Sequence, residues 1–135
     1  MLVVDASAVA ELLMASPIGS EVREFAFSSR EPLAAPQLLD IEVLHAFRRF
    51  HRTGLVSLER SDQALEDLAD LAITRYGHEL LRSGIWRLRN NVTAYDAAYI
   101  VLAELLDAPI LTCDGKLARS SGHGVRFRLF EPSGS

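Results

Sequence analysis

Four acidic residues of this chain could form one reactive site: Asp5, Glu42, Asp96 and Asp114. Asp5 directly follows the apolar run 2–4, and Asp114 comes shortly after the apolar run 110–112. Ligands of open parallel sheets collect outside the carboxyl ends of the strands. If both runs are strands of such a sheet, the two aspartates are expected to converge.

Each aspartate also has a simpler explanation. Asp5, Asp96 and Asp114 all lie at or near the predicted start of a helix, where a carboxylate favours the helix dipole and binds free N–H groups. Thr93 precedes Asp96 with the spacing of a capping box, although glutamate or glutamine is the usual partner there. Helix capping therefore remains open as the role of each aspartate taken singly.

Glu42 lies in a helical stretch that is apolar over most of its circumference, and its sequence neighbours are Leu38, Leu39, Ile41, Val43 and Leu44. A buried carboxylate needs a partner. No arginine or lysine lies one helical turn away, although His45 could form a structural ion pair with Glu42. A cation shared with other carboxylates is the alternative partner.

Carboxylates that face one another raise each other's pKa unless a divalent cation binds between them. A donor set of oxygens alone suits Mg2+ or Mn2+, whereas zinc usually recruits histidine or cysteine. Neither the single cysteine nor the four histidines show metal-ligand spacing. We therefore expect Mg2+ (or Mn2+) as the cofactor, with the number of ions open.

Alternating strands and helices must position these residues, which predicts an α/β protein with a parallel sheet covered on both faces. The predicted strands are 2–4, 33–35, 73–76, 110–112 and 125–130. Predicted helices cover 8–15, 17–29, a long segment opened by Pro36 and ended by Gly54, 78–90 and 94–106. A further helix begins at Ser57 or Ser61, with Leu65, Leu68, Ala69 and Ala72 facing inward.

The 135 residues are enough for one domain, predicted at 1–130 with a short tail at 131–135. A single cysteine, Cys113, excludes an internal disulfide and a cysteine-based zinc cage. No apolar run approaches the ~20 residues of a membrane-spanning helix. Asp5 also interrupts the place where a signal peptide is apolar, so we expect a cytoplasmic protein without membrane contact.

Four motifs carry a family resemblance: Val4-Asp-Ala-Ser-Ala8, an isolated Glu42, Thr93-Ala-Tyr-Asp-Ala-Ala-Tyr99 and Leu111-Thr-Cys-Asp114. In their order and spacing over essentially the whole chain, they resemble the PIN domain of VapC-type toxins. The resemblance implies a three-layer α/β/α sandwich and a toxin that cleaves RNA with Mg2+ or Mn2+. It also implies homodimers and silencing by a cognate antitoxin.

Position by position, the resemblance makes Asp5, Glu42, Asp96 and Asp114 the metal ligands. Ser7 and Thr112 would support the site by hydrogen bonds, although Ser7 could equally cap a helix. Some relatives carry a further acid shortly after the strand aspartate, whereas Gly115, Lys116 and Leu117 follow Asp114 here. A second metal site is therefore left open.

The net charge of −4 means that RNA would need a local attraction. Candidate phosphate contacts are Arg48, Arg49, Arg52, Arg89 and Lys116, with Arg82 and Arg87 nearby in sequence. Solvated helix faces and a solubility role explain these cations equally well. Helical spacing predicts core or partner-interface positions, rather than stacking platforms, for Phe25, Phe47, Phe50, Trp86 and Tyr99.

Three other kinds of protein compete with a nuclease. A receiver-type signalling domain needs adjacent acids after its first strand and a lysine after its last. A phosphatase with an aspartate nucleophile usually has a second aspartate two positions on, where this chain has Ser7. The main alternative is a catalytically weak module of the same fold that acts through protein binding, and four intact acids argue against it. The sequence leaves open which RNA would be cut.

Overall fold

The computed structural model describes residues 1–132, so residues 133–135 of the predicted tail lie outside the described part. Its five strands are β1 (Leu2–Val4), β2 (Leu33–Pro36), β3 (Ile73–Tyr76), β4 (Ile110–Thr112) and β5 (Phe127–Leu129). Its helices are α1 (Ala6–Met14), α2 (Pro17–Ser28), α3 (Leu38–Arg52), α4 (Leu58–Asp70), α5 (Arg82–Arg87), α6 (Ala94–Leu106) and α7 (Gly115–Ala118).

All five strands are parallel and lie in the order β3-β2-β1-β4-β5, which confirms the predicted parallel sheet. From β1 the chain moves outward through β2 to β3, then returns to β4 on the other side of β1. The strand order therefore reverses between β1 and β4. A crevice opens outside the carboxyl ends of the strands at such a point.

Helices cover both faces of the sheet. Helix α1 packs against α2, α3 and α4, whereas α6 packs against α5 and contacts β1 and β2. The usual right-handed crossover between parallel strands puts α1 to α4 on one face and α5 and α6 on the other, in agreement with these contacts. The central strands are fully buried between these layers, and Val3, Ala34 and Leu111 have no exposed surface. The predicted three-layer α/β/α sandwich is confirmed.

The local capping signals act as predicted at α2 and α3. Ser16 accepts a hydrogen bond from the N–H of Gly19, and Pro17 occupies the first turn of α2. Helix α3 ends at Arg52, and Gly54 follows with a φ of 78°. Glycine adopts this left-handed conformation without the steric cost of a Cβ.

Several predicted boundaries were wrong. Pro36 is the last residue of β2, opposite Tyr76 of β3, and α3 begins at Leu38. A proline is tolerated there because the strand ends at this residue. The predicted helix 78–90 divides into a 3₁₀ turn (His78–Leu81) and α5, and β5 is shorter than the predicted 125–130.

The buried face of α4 was also predicted incorrectly. Ser57 caps the helix, Ser61, Ala64 and Leu68 face inward, and Ala69 and Ala72 are exposed. Alanine is apolar enough to suggest burial but small enough to tolerate water, so the sequence pattern did not resolve the direction of the face. Among residues 1–132, no helix is long and apolar enough to cross a membrane.

Candidate active site

Asp5 and Asp114 flank the reversal of strand order. Asp5 follows β1 and caps α1, accepting a hydrogen bond of 2.9 Å from the N–H of Ala8. Asp114 lies two residues beyond β4 and caps α7 through the N–H groups of Lys116 and Leu117. Both aspartates therefore cap helices, and the topology also brings their carboxylates close enough to interact electrostatically.

Two hydroxyl groups hold the Asp5 carboxylate. Ser7 Oγ donates to Asp5 Oδ1 over 2.7 Å, and Thr112 Oγ1 donates to Asp5 Oδ2 over 2.5 Å. The same hydroxyls accept hydrogen bonds from backbone N–H groups of the loop after β4: Ser7 from Cys113 and Thr112 from Asp114. This network ties the end of β1 to the end of β4 and fixes the orientation of the Asp5 carboxylate.

Burial dominates the acidity of Asp5, whose residue is only 4% exposed. Desolvation is the main cause that raises the pKa of Asp5 from 3.8 to about 6, and the nearby charge of Asp114 acts in the same direction. The hydrogen bonds from Thr112, Ala8 and Ser7 act in the opposite direction. At neutral pH Asp5 is thus a carboxylate in an environment that favours its neutralisation by a proton or a cation.

Glu42 projects from the second turn of α3 and receives a hydrogen bond of 2.6 Å from the hydroxyl of Tyr99 on α6. Burial and the charge of Asp96 raise the pKa of Glu42. Tyr99 is buried, and its pKa is raised so far that the hydroxyl remains protonated and acts as a donor. Sequence analysis missed this role, although Tyr99 stands in the motif that contains Asp96.

Asp96 lies in the first turn of α6, where Thr93 caps the helix by accepting from the Asp96 N–H over 3.1 Å. Its side chain is half-buried, and desolvation followed by the charge of Asp114 raises the pKa of Asp96. Lys116 acts in the opposite direction. The structure therefore brings the four predicted acids into one electrostatically coupled cluster.

The donor chemistry of this cluster fits a divalent cation. None of the four carboxylates has an ion-pair partner among residues 1–132. Several of their oxygens also accept no hydrogen bond from these residues: both oxygens of Asp96 and one oxygen each of Glu42 and Asp114. In the described part of the chain, no three His, Cys, Asp or Glu side chains are arranged so that they could hold one metal ion as they stand. Binding would therefore require the half-buried Glu42, Asp96 and Asp114 side chains to rotate toward a shared ion.

Two open clefts are lined by three of the four acids. The Asp96 cleft, of about 670 Å³, is lined by Arg89, Asp96, Lys116 and Arg119 together with asparagine and serine side chains. The Glu42 cleft, of about 430 Å³, includes Glu42, Asp114, His45, Arg49 and Phe50. Each cleft thus combines acidic and cationic side chains.

Only some of the predicted basic residues lie beside the acids. Arg89 and Lys116 line the Asp96 cleft, and Arg49 lines the Glu42 cleft. Arg48 and Arg52 line a separate surface depression farther along α3. Of the other nearby arginines, Arg82 and Arg87 form ion pairs with Glu79 and Glu104. Arg119 belongs to the Asp96 cleft and was not identified from the sequence, although its place three residues after Lys116, at the end of α7, was a usable signal.

Cys113 lies next to Asp114 and lines the Glu42 cleft, but its chemistry is that of a neutral thiol. Burial, followed by the charges of Asp5 and Glu11, raises the pKa of Cys113 to about 12. A thiol is a weak nucleophile without deprotonation. Cys113 is therefore not a nucleophile of this site.

Comparison with known proteins agrees with this architecture. The PIN domain family model matches residues 2–122. The chain is 42% identical to Ribonuclease VapC1 of Mycobacterium tuberculosis, over 94% of this chain and 96% of the relative. It is 34% identical to Ribonuclease VapC12 of the same species, over 96% of this chain and 98% of the relative.

Solved structures share the fold at lower identity. PAE2754 from Pyrobaculum aerophilum superposes with a TM-score of 0.70 at 22% identity, covering 93% of this chain and 82% of that one. Mycobacterium tuberculosis VapC20, a sarcin-ricin loop cleaving toxin, superposes with a TM-score of 0.64 at 12% identity, covering 87% and 93%. With its parallel sheet, its acids at the strand-order reversal and these relatives, the chain belongs to the PIN-domain family and, within it, to the VapC ribonucleases.

Proposed function

We propose that this protein is an endoribonuclease toxin that hydrolyses RNA phosphodiester bonds with Mg2+ or Mn2+. The observation that carries the proposal is the convergence of Asp5, Glu42, Asp96 and Asp114 without an ion-pair partner among the described residues. The names of the relatives, which are ribonucleases, support the same activity. We further propose a cytoplasmic site of action, a homodimer and a cognate antitoxin that neutralises the toxin.

In this proposal the acidic residues of the chain have different roles. Asp96 lines the Asp96 cleft with a carboxylate that accepts no hydrogen bond from the described residues. Asp114 lines the Glu42 cleft together with Glu42, which Tyr99 orients. Asp5 is held rigidly by Ser7 and Thr112, so it contributes a fixed carboxylate rather than a mobile one. A divalent cation bound there would supply Lewis acidity, which activates water and neutralises charge on the phosphate.

The test is cleavage of total cellular RNA by purified protein freed of any antitoxin, with Mg2+ or Mn2+ and with EDTA. We expect discrete cuts that require the cation and fall at least 100-fold in Asp96→Asn, because this change removes a charged ligand without altering side-chain size. Asp70→Asn is the matched control, since Asp70 is an exposed acid at the end of α4.

Sequencing of the cut ends would identify the RNA. The proposal fails if every RNA class stays intact with either cation, or if Asp96→Asn cuts as fast as the unchanged protein. Absence of cleavage together with absence of cation binding in calorimetry would instead support a module of the same fold that acts through protein binding.

A further inference from the structure

The single tryptophan of this chain lies at the surface. Helical spacing predicts a core or partner-interface position for Trp86, and its exposure of 69% on the short helix α5 excludes only the core. The guanidinium carbon of Arg89 lies 4.9 Å from the centre of its ring, and Arg89 Nη1 also donates to the Trp86 carbonyl over 2.9 Å. Arg89 therefore holds a stacked position and leaves most of the indole open to solvent.

Arg89 connects this ring to the candidate active site. The Asp96 cleft is lined by Arg89, by Lys116 on α7 and by Arg119 directly after α7, together with Asp96. None of these three cations takes part in an ion pair among residues 1–132. Trp86 thus borders a cleft whose cationic side chains lead to the candidate catalytic carboxylates.

The guanidinium of Arg119 lies beside Gly115, the residue that directly follows Asp114. A Cβ added to Gly115 would lie 2.8 Å from Arg119 Nη1. Lys116, one residue further, is exposed. Two cationic residues that follow Asp114 closely in sequence therefore line the Asp96 cleft.

We propose that Trp86 and Arg89 form a stacking platform for an unpaired base of the RNA substrate, with Lys116 and Arg119 contacting the adjacent phosphates. An exposed aromatic ring backed by arginine, next to unpaired cations, combines the two features that single-stranded nucleic acid requires. Because the cleft is lined by charged and polar groups, it suits a polyanion better than an apolar protein surface. This inference rests on the proposed ribonuclease function and assigns part of its substrate site.

Trp86 is also its own reporter, because no other residue of the chain emits tryptophan fluorescence. The experiment titrates the full-length protein in EDTA, where metal-dependent cleavage is stopped, with a short single-stranded oligoadenylate. We expect RNA to quench the emission by stacking, whereas inorganic polyphosphate binds the cations without comparable quenching. Anisotropy of a labelled RNA measures the affinity of variants that lack the tryptophan.

Loss of one stacked base changes affinity by roughly 5- to 150-fold. We expect Trp86→Ala to weaken RNA binding within this range, Trp86→Phe to restore much of it, and Arg119→Ala to weaken both RNA and polyphosphate. Phe27→Ala is the matched control, because Phe27 is an exposed ring (50%) with Arg23 stacked at 5.3 Å. It lies at the end of α2 that leads into the start of β2, away from the carboxyl ends of the strands.

Unchanged RNA affinity in Trp86→Ala would overturn the proposal. Two results together would also overturn it: Trp86 emission that changes with protein concentration in the absence of RNA, and loss of the dimer in Trp86→Ala. The ring would then lie between two copies of the chain. Binding is measured without the cation, so its outcome is separate from that of the nuclease assay. Quenching without any cleavage would contradict only the proposed activity.

Discussion

At the scale of single residues, the candidate site depends on hydrogen-bond donors that hold the carboxylates. Asp5 has Ser7 and Thr112, whereas Glu42 has the buried hydroxyl of Tyr99. A buried acid without such a donor would be costly, because desolvation disfavours its charged form. These donors therefore allow carboxylates to remain charged in a partly buried place.

Tyr99→Phe tests this role. The change removes one hydrogen bond of 2.6 Å to Glu42 and keeps the ring in the core. We expect a loss of about 1.5 kcal/mol in the free energy of unfolding and roughly tenfold weaker Mn2+ binding, measured by chemical denaturation and by calorimetry. Tyr76→Phe is the control, since the half-buried Tyr76 donates no side-chain hydrogen bond to the described residues. Equal Mn2+ affinity in both variants would show that Tyr99 does not position Glu42.

At the scale of elements, the position of α1 depends on how closely α2 can approach it. Gly19 lies at the contact, and a Cβ there would fall 1.8 Å from the backbone oxygen of Glu11. Backbone atoms within a helix cannot move away cheaply. The close crossing of α1 and α2 therefore requires glycine at this position, and α1 in turn begins at Asp5.

Gly19→Ala should destabilise the fold although alanine is the better helix former. We expect a net loss of about 2 kcal/mol or more in the free energy of unfolding, because overpacking against backbone outweighs a propensity gain of about 1 kcal/mol. Urea denaturation measures it. Gly77→Ala is the matched control: its φ is −68°, nothing lies within 4 Å of an added Cβ, and stability should change by less than about 0.5 kcal/mol. Equal stability of the two variants would contradict the close crossing.

At the scale of the whole molecule, the parallel sheet concentrates acids at one edge, and this lowers the stability of the metal-free protein. The pKa of Asp5 is about 6 in the folded chain, against an ordinary value of 3.8 for an aspartate in water. Between these values the folded state binds more protons than the unfolded state, so stability falls as the pH rises from about 4 to about 6. Above that range the contribution is constant and unfavourable.

Asp5→Asn should therefore stabilise the metal-free protein at neutral pH. In EDTA we expect an advantage of up to about 3 kcal/mol over the unchanged protein at pH 7, which shrinks as the pH falls and vanishes well below pH 4, where Asp5 is protonated in both states. Thermal unfolding across this range measures the difference. With saturating Mn2+ the unchanged protein should become more stable than Asp5→Asn, because an ion that binds only the folded protein stabilises it. A difference that does not vary with pH would contradict the raised pKa of Asp5.

The sequence alone determined the features that depend on neighbouring residues. Apolar runs followed by an acid predicted the strands and the places of Asp5 and Asp114, and Ser16-Pro17 predicted the start of α2, because strand burial and capping are local. The parallel orientation of the strands followed from the alternation of strands and helices. The family motifs then added the layered architecture.

Only the tertiary structure decided the relations between distant residues. Tyr99 meets Glu42 across 57 positions, and Ser7 meets Thr112 across 105. Which side of a helix is covered depends on the layer packed against it, so the sequence pattern misjudged α4 and did not predict the exposure of Trp86. Such contacts follow from the crossover of chain segments over the sheet, and no short window of sequence contains that information.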